Sequence, residues 1–338
     1  MPSIPAGLRG LRKYAAKALA VTLAVIASVL PPAGAATTGA FPDRPVTLVV
    51  PYGPGGVVDI AARSLAEGLG KLWGQTVVVD NRAGAAGVIG AAMVARAQGD
   101  GYTLLCVDDG VMVSMPHFNK EMPYDTLRDL QPVAMVGTYP YVFFANAQAG
   151  YKTLDQVVAA SKAKPGSVNY GTNGVGGIQH LAVERFQRQA QIRLNHIPYK
   201  SGNPALQDLV GGQIPTAIVA LATGSPYLND PRVIPLAVTD TQRTPLRPDL
   251  PTARELGYDG FTTLSWLAMF APRTAPPALV DKINDAVATV VASDAYRNAM
   301  SARGVTAQFK PSKALREQVA IEFDRNGADI RSLEAATR

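Results

Sequence analysis

Between residues 46 and 107, short apolar runs alternate with stretches whose apolar residues recur at helical spacing. The runs 46–50, 76–79 and 103–107 read as buried strands. Ile60, Leu65, Leu69 and Leu72 lie along one helical stripe, and Ile89, Ala92, Met93 and Ala97 along another. Gly70 and Gly74, then Gly99 and Gly101, supply the turns that return the chain to the sheet. Strands joined through helices pair in parallel with right-handed crossovers, so the predicted class is α/β.

A long apolar run at 130–145, interrupted by Gly137 and Pro140, reads as extended chain that crosses out of this first series. A second series comes after it. Thr153 and Gln156 stand at capping-box spacing before a helix at 154–163. A strand, a glycine-rich loop at 170–180 and a helix at 178–190 come next. Extended runs at 194–199, 214–221 and 233–238 surround a short helix for which Asn203 is the expected cap and Pro204 the first-turn residue. The run 262–271 crosses back. Helices at 278–292 and at the C-terminus, the latter with Leu315, Val319, Phe323, Ile330 and Leu333, complete the pattern. Two crossings predict a discontinuous first lobe, residues 41–140 with 265–338, and a second lobe, 141–264. Each lobe is expected to be a mainly parallel sheet flanked by helices, with a hinge between them.

The N-terminus has a different character. Arg9, Arg12, Lys13 and Lys17 precede 13 uncharged residues at 18–30, followed by Pro31, Pro32 and the small residues Ala33, Gly34 and Ala35. This order predicts a signal peptide over residues 1–35, cleaved near Ala35, and a periplasmic location. The apolar part is shorter than the roughly 20 residues of a spanning helix. The formal charge of +6 includes those four cations and no acid from the leader, so the remaining chain carries about +2. No basic run or basic–aromatic stripe remains, and nucleic acid is excluded as a partner. The single cysteine, Cys106, lies inside an apolar strand and reads as a small buried hydrophobe.

The candidate chemistry sits at the strand ends. After the first strand comes Pro51-Tyr52-Gly53-Pro54-Gly55-Gly56, a loop almost without side chains that opens a helix. Helix starts present unpaired N–H groups and about half a positive charge, which suits an anion. Glycines let that anion approach the backbone. The second loop, from Tyr170 to His180, repeats the arrangement. Two such loops on two lobes predict a carboxylate held in the cleft between them. Neither loop has the ending of a P-loop or the spacing of a dinucleotide fingerprint, and no nucleophile elbow is present. No catalytic residue, cofactor or metal site is therefore assigned, His117, His180 and His196 being scattered singly.

Seven blocks carry a resemblance: FPDRPVTLVVPYGPGGVVDIAARSLAEGL, VVVDNRAGAAGVIGAAMVARAQGDGYTLL, MPYDTLRDLQPVAMVG, NYGTNGVGGIQHLA, HIPYKSGNPALQDLVGGQI, PLAVTDTQRTPLRPDLPTARELGYDGF and APRTAPPALVDKIN. In this order, over essentially the whole chain beyond the leader, they resemble the extracytoplasmic solute receptors of tripartite tricarboxylate transporters, also called Bug or TctC-like receptors. The resemblance implies a type II periplasmic binding protein, monomeric, that captures a small organic acid. It then delivers the acid to a membrane permease of one large and one small subunit. It implies ligand contacts at Tyr52, Gly53, Pro54, Gly55, Gly56 and Asp59, and at Tyr170, Thr172, Asn173, Gly174, Gly176 and His180. Where relatives commonly carry polar or acidic residues, this chain has Gly177, Val111, Pro215 and Val219. With Trp266, Tyr52 and Phe144 as walls, these departures predict an acid with an apolar or aromatic body.

Several assignments stay open at this level. Asp59 reads as a helix cap or as an indirect ligand contact, and His180 as a packed residue or a contact. Asp108 and Asp109 read as solvated turn carboxylates or as groups facing the cleft, and Trp266 as hinge packing or a stacking wall. A receptor that presents its ligand to a sensor kinase, and a secreted enzyme, are the alternative functions.

Overall fold

The computed structural model describes residues 41–119 and 121–336; the predicted leader, residues 1–35, lies outside them. From residue 44 onward the chain forms one compact unit. Strand β1 (Val46–Val50) leads through the glycine loop into helix α1 (Val57–Trp73). Next come β2 (Val77–Asn81), α2 (Val88–Ala95) and β3 (Thr103–Asp108). Strand β1 pairs in parallel with both β2 and β3, as the alternation of runs requires. Helix α1 buries Val57, Val58, Ala61, Ala62, Leu65 and Leu69 and ends at Gly74 in the left-handed conformation (φ 65°). That backbone geometry favours glycine and stops the helix.

Strand β4 (Leu130–Asn146) is 17 residues long and buried along nearly its whole length. Its first part pairs with β9 (Leu264–Pro272) and β10 (Thr306–Pro311), and its last part with β7 (Thr216–Ala220) and β8 (Val233–Val238). Covered on both faces, it shows a continuous apolar run instead of alternation. Between β4 and β7 the chain forms α3 (Leu154–Ala163), β5 (Asn169–Thr172), α4 (Ile178–Ala190), β6 (Asn195–Pro198) and α5 (Gly202–Val210). Strand β5 lies parallel between β6 and β7. Helices α6 (Pro277–Ala292), α7 (Asp294–Ser301) and α8 (Ser312–Ala336) come after β9 and flank β10. The strand order is β2-β1-β3-β9-β4-β7-β5-β6, with β8 and β10 also on β4.

Three expectations need correction. The sheet is mixed: β3–β9, β4–β9, β4–β10, β4–β7 and β4–β8 are all antiparallel. The strands that traverse the molecule run opposite to their neighbours, so parallel pairing is confined to β1–β3 and β5–β7. The stripe assigned to α2 is also displaced: Ile89 and Met93 are exposed, while Val88, Ala91, Ala92 and Val94 are buried. A Cβ on Gly90 would come within 2.8 Å of the Pro51 Cα, so this helix lies against the end of β1 through small residues. Leu72 is likewise exposed. Finally, α5 begins after Ser201, placing Asn203 inside the first turn and not at the cap.

Candidate ligand-binding site

The first glycine loop is clamped from below by Asp59. One carboxylate oxygen accepts the Gly55 N–H and the Arg63 Nε–H, each at 2.9 Å. The other accepts Asn81 Nδ2 at 2.9 Å, and Asn81 Nδ2 also reaches the Tyr52 carbonyl at 3.0 Å. Burial pushes the Asp59 carboxyl upward, but the bonds from Arg63, Gly55 and Asn81 outweigh it and hold the group below the usual range. Asp59 therefore anchors the loop instead of capping the α1 amides. The Gly56 N-cap contributes no side chain, and no side-chain bond covers the first N–H groups of α1.

The second loop is held by a column of rings. His180 stacks on His196 with centroids 4.2 Å apart, and Tyr170 stacks on the other face of His196 at 5.0 Å. His180 Nδ1 accepts the Gly176 N–H at 3.2 Å, and Thr172 Oγ1 lies 2.7 Å from His196 Nε2. Burial lowers the His180 imidazole to about 4. Burial and the neighbouring His180 lower His196 to about 3. Both rings are neutral at pH 7, and a neutral Nδ1 is what the Gly176 amide needs. Gln179 Oε1 accepts the Asn173 N–H at 2.9 Å, fixing the lip of this loop.

The two loops meet across one cleft. Tyr52, Gly53, Pro54, Gly56, Val57 and Val58 line one wall. Asn173, Gln179, Ser201, Gly202 and Asn203 also line the cleft, together with Ala220, Thr223, Asp108 and Tyr139. Helix α5 contributes a third N-terminus, after Ser201. None of the caps of α1, α4 and α5 makes a side-chain bond to its helix. The uncapped starts of α1 and α5 thus line one space, with Gln179 from the first turn of α4, and among the described residues no Lys, Arg or His lines it. Such an arrangement binds an anion through N–H groups and dipoles.

A smaller cavity adjoins the first. It shares Tyr52, Asp108 and Asn173 with the cleft and includes Gly177, Tyr141 and Ile178. Asp108 is 6% exposed. The Tyr52 hydroxyl donates to its Oδ1 at 2.9 Å, and the Tyr139 hydroxyl to its Oδ2 at 3.4 Å. Burial raises the Asp108 carboxyl above its usual range despite these bonds. Asp109 faces away, into a separate recess with Arg185, Glu322 and Arg325. Burial, then the charges of Asp108 and Glu322, raise it well above normal. The reading of these two as solvated turn carboxylates is overturned: the end of β3 is covered.

The structure brings together Tyr52, Gly53, Pro54, Gly56, Asp108 and Asn173 at the cleft and Gly177 at its extension. Asp59, Tyr170, Thr172 and His180 lie behind the loops as supports, and the Gly55 amide is turned toward Asp59. Gly174 and Gly176 are absent from the lining and adopt positive φ, 129° and 83°, which shapes the loop. Val111, Val219, Phe144 and Trp266, expected as apolar walls, are packed in the interior and do not line either cavity. Trp266 instead donates its Nε1–H to Glu322 at 2.7 Å. Sequence reasoning missed Tyr139, Gln179, Thr223 and the Ser201–Asn203 segment. The last is detectable as a third glycine-containing helix start, but a role for Asn203 as cap hides it.

Residues 61–334 match the sequence profile of the family described as "Tripartite tricarboxylate transporter family receptor". Protein BugT of Bordetella pertussis is 35% identical over 317 residues, covering 93% of this chain and 97% of that protein. Among solved structures, R. palustris Rpa4515 with adipate superimposes with a TM-score of 0.82 at 30% identity, covering 86% of this chain and 97% of that one. MatC from Rhodopseudomonas palustris with bound malate gives 0.79 at 29% identity, covering 86% and 100%.

Proposed function

The chain belongs to the tripartite tricarboxylate transporter receptor family, and from that premise we propose that it captures a small carboxylated organic acid in the periplasm. It delivers the acid to a membrane permease of one large and one small subunit. The family and its solved neighbours are receptors and not enzymes. The observation that carries the ligand class is the convergence of the uncapped N-termini of α1 and α5 on one cleft, with that of α4 at its extension. Each supplies oriented N–H donors and about half a unit of positive charge, so a carboxylate is held without a partner cation. The ligand's body rests on Pro54, Val57, Val58 and Ala220, not on the interior residues from which an apolar preference was expected.

In this receptor, residues 41–140 with 265–338 form one lobe and 141–264 the other, moving about β4 and β9. Support comes from β4, which pairs with β9 and β10 in one part of its length and with β7 and β8 in the other. Calorimetry of the purified chain against mono-, di- and tricarboxylates tests the function, with micromolar binding of at least one acid expected. A folded chain that binds no acid in the panel refutes it. Deletion of the gene tests the delivery step through loss of acid uptake.

A further inference from the structure

Resting on the carboxylate reading, we propose that the solute carries a protonated amine as well as a carboxylate, and that Asp108 and Asn173 select for it. The cleft is polar in a directed sense. Gly53, Gly56, Val57, Val58 and the Ser201–Asn203 segment line only the larger cavity, whereas Tyr52, Asp108 and Asn173 stand at its junction with the smaller one. An acid lying with its carboxylate on the helix starts therefore extends toward that junction.

The junction offers acceptors. Asp108 there is a buried carboxyl, with one oxygen held by Tyr52 and the Val111 N–H and the other, among the described residues, approached by the longer Tyr139 bond. Asn173 Oδ1 is shielded from solvent and accepts no hydrogen bond from the described residues, although the Asn173 backbone is fixed by Gln179. A buried acceptor without a donor is costly, and a donor on the ligand satisfies it. The neighbouring Asp109 lies in a separate recess, where Arg185 and Arg325 stand beside it and Glu322. At the junction itself the carboxyl is Asp108, and in its ionised form it favours a cation over a neutral N–H group and disfavours a second carboxylate. A ligand ammonium also favours the ionised form of Asp108, whose burial otherwise opposes it.

The test is calorimetry with matched acids: succinate, malate, aspartate and asparagine, and adipate with 2-aminoadipate. The aminated acid of each set is expected to bind at least tenfold more tightly than its amine-free partner. Asp108→Asn is expected to reduce that preference to within about threefold. Asn173→Ala, on a loop that is only partly buried, provides a second variant if Asp108→Asn fails to fold, with the same narrowing expected. Succinate or adipate binding as tightly as its aminated partner overturns the inference but leaves the carboxylate reading standing. Failure of every acid refutes both.

Discussion

Asp59 shows how one residue sets the loop that holds the ligand. Its carboxylate is buried and joins Gly55, Arg63 and Asn81, so removing it breaks three bonds at once and takes the acceptor from the Gly55 amide. Asp59→Ala is expected to cost about 2–3 kcal/mol of stability, since bonds to a buried charge are worth more than neutral ones. It should also weaken acid binding as the glycine loop loosens; denaturant unfolding and calorimetry measure the two effects. The folded-state pKa of Asp59 is depressed, so its stabilising contribution is present above the unfolded carboxylate pKa and disappears as pH falls through the folded value. The glycine spacing reveals this loop because backbone approach requires missing side chains. Which of its groups face inward is not legible. Asp59 and Gly55 satisfy each other through a bond that closes only when the loop folds, and nothing in the order of residues announces it. Val111 and Val219 mislead for a related reason: an apolar residue beside a site motif looks the same whether it lines the cavity or packs beneath it.

At the scale of elements, close approach between neighbours positions the site. Gly90 of α2 lies against Pro51, where an added Cβ would meet backbone at 2.8 Å. Gly90→Ala is expected to push α2 from the end of β1, destabilising the fold by about 1–3 kcal/mol and displacing the first loop. Thermal unfolding together with acid affinity reads both consequences. The ring column under the second loop gives a pH prediction. His180 and His196 have folded-state pKa values lowered to about 4 and about 3. The unfolded chain, with imidazoles near 6.5, binds more protons below that pH, so stability falls as pH drops from about 6.5 toward 4. His180→Gln should flatten this slope in denaturant titrations at pH 7 and pH 5. Asp109, raised by burial, acts in the opposite sense, so the slope difference between wild type and variant isolates the imidazole. Helix α6 is legible almost residue by residue, with Val280, Ile283, Ala286, Val287, Val290 and Val291 buried as its period requires. The direction of β4 and β9 is not, because a uniformly apolar strand carries no record of whether its partners run parallel or antiparallel.

Across the whole molecule, the proposed two-lobe reading makes the sheet the limit on how far the two halves move. Strand β4 is shared by both, and β9 runs beside its first part up to Pro140. Concerted motion is thus confined to a few residues where β4 passes from one set of partners to the other. The glycine loop and α5 approach one another in the described state: a Cβ built on Gly55 would lie 3.8 Å from Asn203 Nδ2. Amides that converge on one cleft carry like partial charges, and an anion between them removes that repulsion. Ligand binding should therefore shift the population toward this close arrangement, and the shift is limited by the difference in affinity between the two states. Saturation at a hundredfold excess over Kd adds about 2.7 kcal/mol, a rise of several degrees in Tm. The geometric part is separable. Cys106 is fully buried, so spectroscopic labels on Pro54→Cys and Asn203→Cys report only the cleft. Their separation is expected to shorten and its distribution to narrow when a bound acid is added. Identical distributions with and without an acid that calorimetry shows to be bound would mean that the cleft is preformed and that the halves do not close around the solute.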